Sequence, residues 1–217
     1  MTMKNTTAPL QPDVYYHIYN RGNNREDLFI EKRNYPYFLT LYAKHIEPIA
    51  ETYAYCLLRN HFHLLVRVKT EEEFRQTSQV LETCDVSGAK KKFNPSQGFA
   101  NLFNAYAKAI NKGYGRTGSL FEERFGRIPV TNTAYFETLI FYIHYNPQKH
   151  GFVGDFRDWQ GSSYHALVGT GTTRLKRDEV LEMFGGIKGF EEFHQGMVDE
   201  KKLAELIDEE FDLETQT

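Results

Sequence analysis

The pattern of apolar and polar residues along the chain predicts short strands alternating with amphipathic helices. Strands are predicted where β-branched and aromatic residues alternate or form short buried runs, at 14–19, 52–58, 63–68 and within 119–130. Helices are predicted where apolar residues recur every three or four positions, at 34–46, 71–83, 99–111 and 133–146. The order strand, helix, strand, strand, helix, strand is typical of the α+β ferredoxin-like plan, an antiparallel sheet with helices on one face. Many unrelated functions share that plan, so it indicates none by itself.

Two histidines, His61 and His63, lie at the head of the apolar run that contains the third predicted strand. Successive side chains of a strand point to opposite faces, so His61 and His63 should share one face while Phe62 enters the core behind them. Two adjacent imidazoles can hold one metal ion. The simpler alternative is two unrelated histidines on a half-exposed strand.

The helix predicted at 133–146 carries a tyrosine and an asparagine on one face. Asn132 or Thr133 can cap its start, and Pro147 disfavours the α conformation at the residue before it, so the helix should stop at Asn146. Tyr142 lies four positions earlier and is therefore a neighbour on the same face. The negative helix end around Asn146 suits a bound cation. For this pair alone, a core aromatic and a C-terminal cap are the simpler interpretation.

The composition limits the possible classes of protein. The chain has 217 residues and two cysteines, Cys56 and Cys84, which exclude a disulfide framework and a cysteine-rich zinc cluster. No apolar run is long enough to span a membrane and no leader has an apolar core, so we expect a cytoplasmic location. We divide the chain into a loose leader (1–13), a main domain (14–168) and an acidic, helical C-terminal extension (169–217).

Charge is unevenly distributed. From Lys176 onward there are 5 lysines and arginines against 13 acids, whereas the residues before it carry 21 against 16. The stretch 86–121 contains no acid, and its cations are Lys90, Lys91, Lys92, Lys108, Lys112 and Arg116. Aromatic residues are interleaved with them, namely Phe93, Phe99, Phe103, Tyr106, Tyr114 and Phe121. Cations that meet phosphates and rings that stack on bases suit single-stranded nucleic acid. The alternative is core rings beside a solvated lysine face.

Further arginines are candidates for contacting DNA phosphates. Arg21 and Arg25 lie in a polar loop after the first predicted strand, where a turn alone needs no arginine. Arg124 and Arg127 lie beside the fourth predicted strand and are candidates for neutralising charge that develops during a reaction. The alternative for all of them is a solvated surface position.

Five segments resemble the single-tyrosine HUH transposases of bacterial insertion sequences, and most closely the REP-associated tyrosine transposases. They are His17-Ile18-Tyr19-Asn20-Arg21-Gly22-Asn23-Asn24-Arg25, Tyr55-Cys56-Leu57-Leu58-Arg59-Asn60-His61-Phe62-His63-Leu64-Leu65, Arg116-Thr117-Gly118-Ser119-Leu120-Phe121-Glu122-Glu123-Arg124-Phe125, Tyr142-Ile143-His144-Tyr145-Asn146-Pro147-Gln148-Lys149-His150-Gly151-Phe152-Val153 and Trp159-Gln160-Gly161-Ser162-Ser163-Tyr164. They follow the family order and cover about residues 14–168. The chain departs from the family's commoner residues at Arg59, often a proline, and at 148–150, often Val-x-Ala.

The resemblance implies an activity and a set of site residues. Single-stranded or hairpin DNA would be cleaved and rejoined through a 5′-phosphotyrosine, with Tyr142 as the nucleophile on a catalytic helix that follows the sheet. A divalent metal, Mg²⁺ or Mn²⁺, would be bound by His61, His63 and Asn146. Helical geometry also favours Tyr142 once Asn146 is a ligand, since Tyr145 points elsewhere. The resemblance leaves open whether the chain is a monomer or a homodimer.

Three other functions are consistent with parts of the same sequence pattern. A domesticated DNA-binding module could have the same fold and basic face without cleavage, although it would need neither Tyr142 nor the three ligands. A metal-dependent nuclease could use water, and Tyr142 would then be dispensable. A ferredoxin-like interaction protein would not need the acid-free basic stretch.

Overall fold

Four strands form one antiparallel sheet in the computed structural model, which describes residues 9–82 and 92–196. The strands are β1 (Tyr15–Arg21), β2 (Ala50–Leu57), β3 (His61–Val68) and β4 (Gly126–Pro129). Their order across the sheet is β2-β3-β1-β4, and every neighbouring pair is antiparallel. The predicted α+β class and antiparallel sheet are confirmed. The ferredoxin-like assignment remains an interpretation, because two helices rather than one connect β3 to β4.

Helices cover both faces of this sheet. They are α1 (Asn34–His45), α2 (Glu71–Glu82), α3 (Pro95–Tyr114), α4 (Thr133–Lys149), α5 (Tyr164–Val168), α6 (Arg177–Met183) and α7 (Ile187–Gly196). One hydrophobic cluster packs α1, α2 and α3 on one face of the sheet, and a second packs α4, α5, α6 and α7 on the other. The three helices that precede β4 therefore share one face, as expected, and the helices that follow β4 cover the other. No helix within the described residues is both long and apolar enough to cross a membrane.

Strand alternation decides which side chains face which helix layer. Phe62 is fully buried among Phe38 and Phe103 on the α1–α3 side, as predicted. His63 contacts α4 through the ring of Tyr142 on the opposite side. The predicted division of β3 into a core face and a histidine face is thus confirmed.

Helix α4 continues past the proline that we expected to end it. Asn132 caps its start by accepting a hydrogen bond from the Tyr135 amide, in agreement with the prediction. Pro147, however, lies inside the helix, which ends at Lys149. The His150 N–H donates to the Asn146 carbonyl at 3.0 Å, so the hydrogen-bonded turn resumes after the one donor that proline lacks. Because Pro147 is buried, packing outweighs the local preference of the preceding residue.

Most aromatic rings of the acid-free stretch are core residues. Phe99, Phe103, Tyr106 and Phe121 are each at most 8% exposed and pack under the sheet. Their spacing reflects the buried face of α3, which begins at Pro95 with Asn94 as its cap. These four rings therefore cannot stack on bases, and that part of the nucleic-acid interpretation is wrong.

The acidic extension packs on the sheet as far as Gly196. Val180 and Phe190 are fully buried beside β2 and α4. The Lys176 amide donates to the Thr52 carbonyl at 2.9 Å, and the Tyr53 hydroxyl donates to Glu179 at 2.8 Å. The helical character of this part of the extension is as predicted, whereas the domain boundary at residue 168 stays a prediction.

A line of buried hydrogen bonds ties α7 to α4. His194 Nδ1 donates to the Phe190 carbonyl at 2.8 Å, which leaves its Nε2 as the acceptor for His144 Nδ1 at 2.9 Å. His144 Nε2 then accepts from the Ser163 hydroxyl at 2.8 Å, and that oxygen accepts the Tyr55 amide. Both imidazoles are neutral in this arrangement, and burial lowers the pKa of His194 to about 4.

Candidate active site

Strand β3 and helix α4 bring the predicted site residues together. The ring centroids of His61 and His63 are 5.2 Å apart, and that of Tyr142 lies 5.4 Å from His63. Asn146 lies one helical turn after Tyr142 and is fully buried. Four side chains that sequence spacing could place only in pairs therefore share one site.

His63 is oriented by a residue of the neighbouring strand. Antiparallel pairing puts Tyr19 opposite His63, so His17, two residues earlier on β1, projects from the same face. His17 Nε2 lies 2.9 Å from His63 Nδ1. With the proton on His63 Nδ1 donated to His17, the Nε2 lone pair of His63 points into the site. Metal-bound histidines commonly have such a partner on the other ring nitrogen.

His61 is oriented in the same way by its neighbour in sequence. Its Nδ1 lies 2.8 Å from the Asn60 side-chain oxygen, which can only accept. The proton is therefore on Nδ1, and Nε2 of His61 carries a lone pair. The Asn60 amide thus selects the tautomer that could bind a cation.

The helix itself orients the Asn146 amide. Its Nδ2 donates to the Tyr142 carbonyl at 2.8 Å, which directs Oδ1 away from the helix backbone. The amide also lies near enough to His61 to oppose the lowering of its pKa, although short of a formed hydrogen bond. Asn146 therefore presents an oxygen beside the two imidazoles.

Both imidazoles are neutral near neutral pH. Burial, followed by the neighbouring His150, lowers the pKa of His61 to about 3. Burial, followed by His17, holds the pKa of His63 well below its ordinary value. The positive charge of Lys149 contributes in the same direction at both. Neutral imidazole is the form that binds metal.

The donor set fits a divalent cation. His61 Nε2, His63 Nε2 and Asn146 Oδ1 are buried and have no hydrogen-bond partner among the described residues. Burying a polar atom without a partner costs about 1–3 kcal/mol, so three in one place indicate a ligand. Within residues 9–82 and 92–196, no three histidine, cysteine or carboxylate side chains are grouped to hold a metal. The third protein ligand would therefore be the Asn146 amide.

Tyr142 lies against this donor set and is 2% exposed. Its ring centroid is 6.1 Å from that of His17, and the Lys149 ammonium lies 5.3 Å above it. Tyr145 points elsewhere and stacks on Phe141 with centroids 5.2 Å apart, as the helical geometry predicted. Among the tyrosines of α4, Tyr142 is the one that faces the histidines.

The predicted DNA-contacting residues have different environments. Five of them are exposed, namely Arg25, Lys92, Lys108, Lys112 and Arg124. Arg21 pairs with Glu122, and Arg116 pairs with Glu26, so acids outside the acid-free stretch partly neutralise them. Lys90 and Lys91 lie outside the described residues.

Arg127 lies on the face of the sheet opposite His63 and Tyr142. It packs over the Phe125 ring at 4.8 Å and donates to Ser96 at 3.3 Å, on the α3 side. His63 and Tyr142 occupy the opposite face, so the expectation that Arg127 neutralises charge there is wrong. Strand alternation gives the reason, because Arg127 pairs with Ile18, whose side chain points away from that of His17.

A surface groove lies between α3 and the segment 118–125. Its volume is about 500 Å³, and its lining includes Asn104, Lys108, Asn111 and Phe121. The exposed Lys108 of α3 therefore borders a concave surface.

The chain is similar to known proteins in both sequence and fold. A Haemophilus influenzae protein, provisionally named a REP-associated tyrosine transposase, is 28% identical over 119 residues, covering 54% of this chain and 61% of that protein. The chain thus spans less than two thirds of that relative. A solved structure of a REP-associated tyrosine transposase bound to a REP hairpin matches with a TM-score of 0.56 and 18% identity, covering 80% of this chain and 88% of that one.

The resemblance to REP-associated tyrosine transposases is confirmed. It rests on sequence similarity over about half of the chain and on a shared fold. No protein-family model matches the chain.

Sequence reasoning missed several residues around this candidate site. His17 and Asn60 lie within matching segments, and strand alternation could have placed His17 on the histidine face. Lys149 occupies the variable position of the family's Val-x-Ala and His150 replaces its alanine; both reach the site because α4 continues beyond Asn146. The His150 ring centroid is 4.9 Å from that of His61.

Proposed function

We propose that the chain cleaves and rejoins single-stranded or hairpin DNA through a 5′-phosphotyrosine on Tyr142. The observation that carries this proposal is the position of Tyr142 against His61, His63 and Asn146, three residues that present buried donor atoms without partners among the described residues. A structural core would satisfy such atoms. A site for phosphoryl transfer leaves them for a cation.

The chemistry follows from the phenol. The Tyr142 oxygen attacks the scissile phosphorus, the bond from phosphorus to the 3′-oxygen breaks, and the phenol proton passes to solvent. The departing 3′-oxygen takes up a proton, so one phosphodiester is exchanged for another. A 3′-hydroxyl from a second strand can reverse the step and join the strands, because the phosphoester bond is retained throughout.

A divalent metal, Mg²⁺ or Mn²⁺, would supply Lewis-acid polarisation of a non-bridging phosphate oxygen. His61, His63 and Asn146 would hold it, with His17 and Asn60 fixing the two imidazole tautomers. The remaining work of the chain is to place the phenol beside that phosphate and to exclude water around it. Burial of Tyr142 serves the second purpose.

Single-stranded or hairpin DNA is the partner that the sequence resemblance favours. The solved structure with the same fold carries a REP hairpin. Exposed Lys108 and Lys112 on α3 would meet phosphates of the DNA, and the neighbouring groove offers a concave surface.

The test is covalent capture. The chain is incubated with Mn²⁺ and a labelled pool of single-stranded DNA hairpins with randomised flanks, and adducts are resolved on a denaturing gel. The wild-type chain and the Tyr145→Phe variant should form an adduct, and Tyr142→Phe should not. Tyr142→Phe removes one oxygen and little volume, so its circular dichroism spectrum and DNA affinity should match those of the wild type. An adduct in the Tyr142→Phe variant would place the nucleophile elsewhere.

A DNA-binding module without cleavage is the second candidate. One observation favours it, namely the 2% exposure of Tyr142, since a nucleophile must reach its substrate. Wild-type binding to the hairpin pool without any adduct, at several metal concentrations, would support this function over cleavage. Cleavage by Tyr142→Phe would instead indicate a nuclease that uses water.

A further inference from the structure

Helix α4 presents three functional side chains on one face, where the sequence pattern indicated two. Asn146 and Lys149 follow Tyr142 by four and seven positions, a spacing that returns to the same face of a helix. A helix that ended at Asn146 would have left Lys149 in a loop of undefined direction. Continuation through Pro147 instead adds the turn that brings Lys149 to the site.

The Lys149 side chain lies against the phenol. Its Nζ is 5.3 Å from the centroid of the Tyr142 ring, within the range of a cation–π contact. Lys149 is exposed, whereas Tyr142 is buried. The ammonium group therefore stands on the solvent side of the phenol, from which a DNA strand must approach.

The charge of Lys149 also reaches the candidate metal ligands. The Tyr142 ring that its ammonium contacts lies 5.4 Å from the His63 ring, measured between centroids. The positive charge of Lys149 repels a metal ion held by these imidazoles. A phosphate bound between the phenol and the imidazoles would compensate this repulsion, since it attracts both cations.

We propose that Lys149 is a further catalytic residue, which donates an N–H to a non-bridging oxygen of the phosphate that Tyr142 attacks. This inference rests on the proposed cleavage activity. Lys149 remains protonated throughout and takes no part in the proton balance. Its contribution is to neutralise charge that spreads over the phosphate oxygens as the phenol oxygen bonds and the 3′-oxygen leaves.

The experiment compares Lys149→Met and Lys149→Arg with the wild type in the adduct assay, with the hairpin pool at saturating concentration. Lys149→Met keeps the length of the chain and removes the charge, so adduct formation should slow by about 10- to 100-fold, below the loss typical of a buried oxyanion donor. Lys149→Arg keeps the charge and should retain most of the rate. Lys44→Met, an exposed lysine in the last turn of α1, is the matched control and should behave as wild type.

A second readout separates catalysis from structure. Lys149→Met should bind Mn²⁺ as tightly as the wild type or more tightly by calorimetry, because a repelling charge is removed. Weaker Mn²⁺ binding, together with equal rate loss in Lys149→Arg, would indicate a structural role and overturn the inference.

Different results would contradict the role of Lys149 and the proposed cleavage by Tyr142. A wild-type adduct with an unchanged rate in Lys149→Met overturns the role of Lys149 alone. Absence of any adduct with the wild-type chain, while hairpins still bind, overturns cleavage and the role of Lys149 with it.

Discussion

His17 Nε2 lies 2.9 Å from His63 Nδ1, although the two residues are 46 positions apart. The contact arises because β1 and β3 pair with Tyr19 opposite His63, which puts both imidazoles on the face toward α4. When His17 Nε2 accepts the hydrogen bond from His63 Nδ1, the lone pair of His63 lies on Nε2.

Replacing His17 should weaken metal binding without removing a ligand. In His17→Ala the His63 ring loses its fixed tautomer and orientation, so Mn²⁺ affinity measured by calorimetry should fall by about 10- to 100-fold. His17→Gln retains an acceptor and should recover part of the loss. The exposed His165→Ala is the control. Unchanged affinity in His17→Ala would exclude this orienting role.

Replacing either proposed ligand should have a larger effect. His61→Ala or His63→Ala leaves two protein ligands, so Mn²⁺ affinity should fall by roughly tenfold at the least. Because both variants also remove a buried atom without a partner, thermal unfolding without metal should change less than for an ordinary core truncation. Wild-type Mn²⁺ affinity in both variants would remove the metal site from the proposed function.

Stability should depend on pH through His194. Burial lowers its pKa to about 4, against about 6.5 in an unfolded chain, so the unfolded state binds more protons between these values. The contribution of neutral, buried His194 to the free energy of unfolding is fully present above pH 6.5. It is lost as the pH falls through 4. The free energy of unfolding by urea should therefore decrease by about 1.4 kcal/mol per pH unit for this one proton within that interval.

The matched variants are His194→Gln and the exposed His165→Gln. His194→Gln should be less stable at pH 7, because the ring nitrogen that accepts from His144 is replaced by an amide. Its free energy of unfolding should also depend less on pH, because the titrating group is removed. His165→Gln should keep the wild-type slope. Equal slopes for the wild type and His194→Gln would show that another group controls the acid sensitivity.

The extension should be required for stability as far as α7. Phe190 is fully buried against His144 and Tyr164, so Phe190→Ala should cost about 3–5 kcal/mol of unfolding free energy. Phe193 is partly buried at the edge of the same cluster. Phe193→Ala should therefore lower the free energy of unfolding by less. Truncation after Leu175 removes α6 and α7. It should lower the midpoint of urea unfolding more than either single substitution does. A truncated chain of wild-type stability would make the extension an independent appendage.

DNA binding should depend on salt through exposed lysines of α3. Each phosphate contacted on a single strand contributes a slope of about −0.7 in log affinity against log salt. Lys108→Met combined with Lys112→Met should weaken hairpin binding by fluorescence anisotropy and reduce the slope by about 1 to 1.5. Lys44→Met serves as the control. A slope equal to wild type in the double variant would place the DNA elsewhere.

The sequence by itself determined the features that depend on local periodicity. Alternation on a strand placed His61 and His63 opposite Phe62, and helical spacing put Tyr142 and Asn146 on one face while turning Tyr145 away. These relationships survive in the structure because they follow from backbone geometry within a single element. Asn132 was identifiable as a cap for the same reason.

Only the tertiary structure decided which elements meet and where local preference is overruled. Burial of Pro147 carries α4 to Lys149, against the preference of the residue before a proline. Strand pairing places His17 beside His63 and directs Arg127 toward α3. Four aromatic rings of the acid-free stretch are buried in the core and are not available to bases. Each of these outcomes depends on contacts with residues far away in the sequence. A local sequence pattern does not show which distant residues will meet. The physical reason is that a side chain's face is a property of its own strand or helix, but its neighbours are a property of the whole fold.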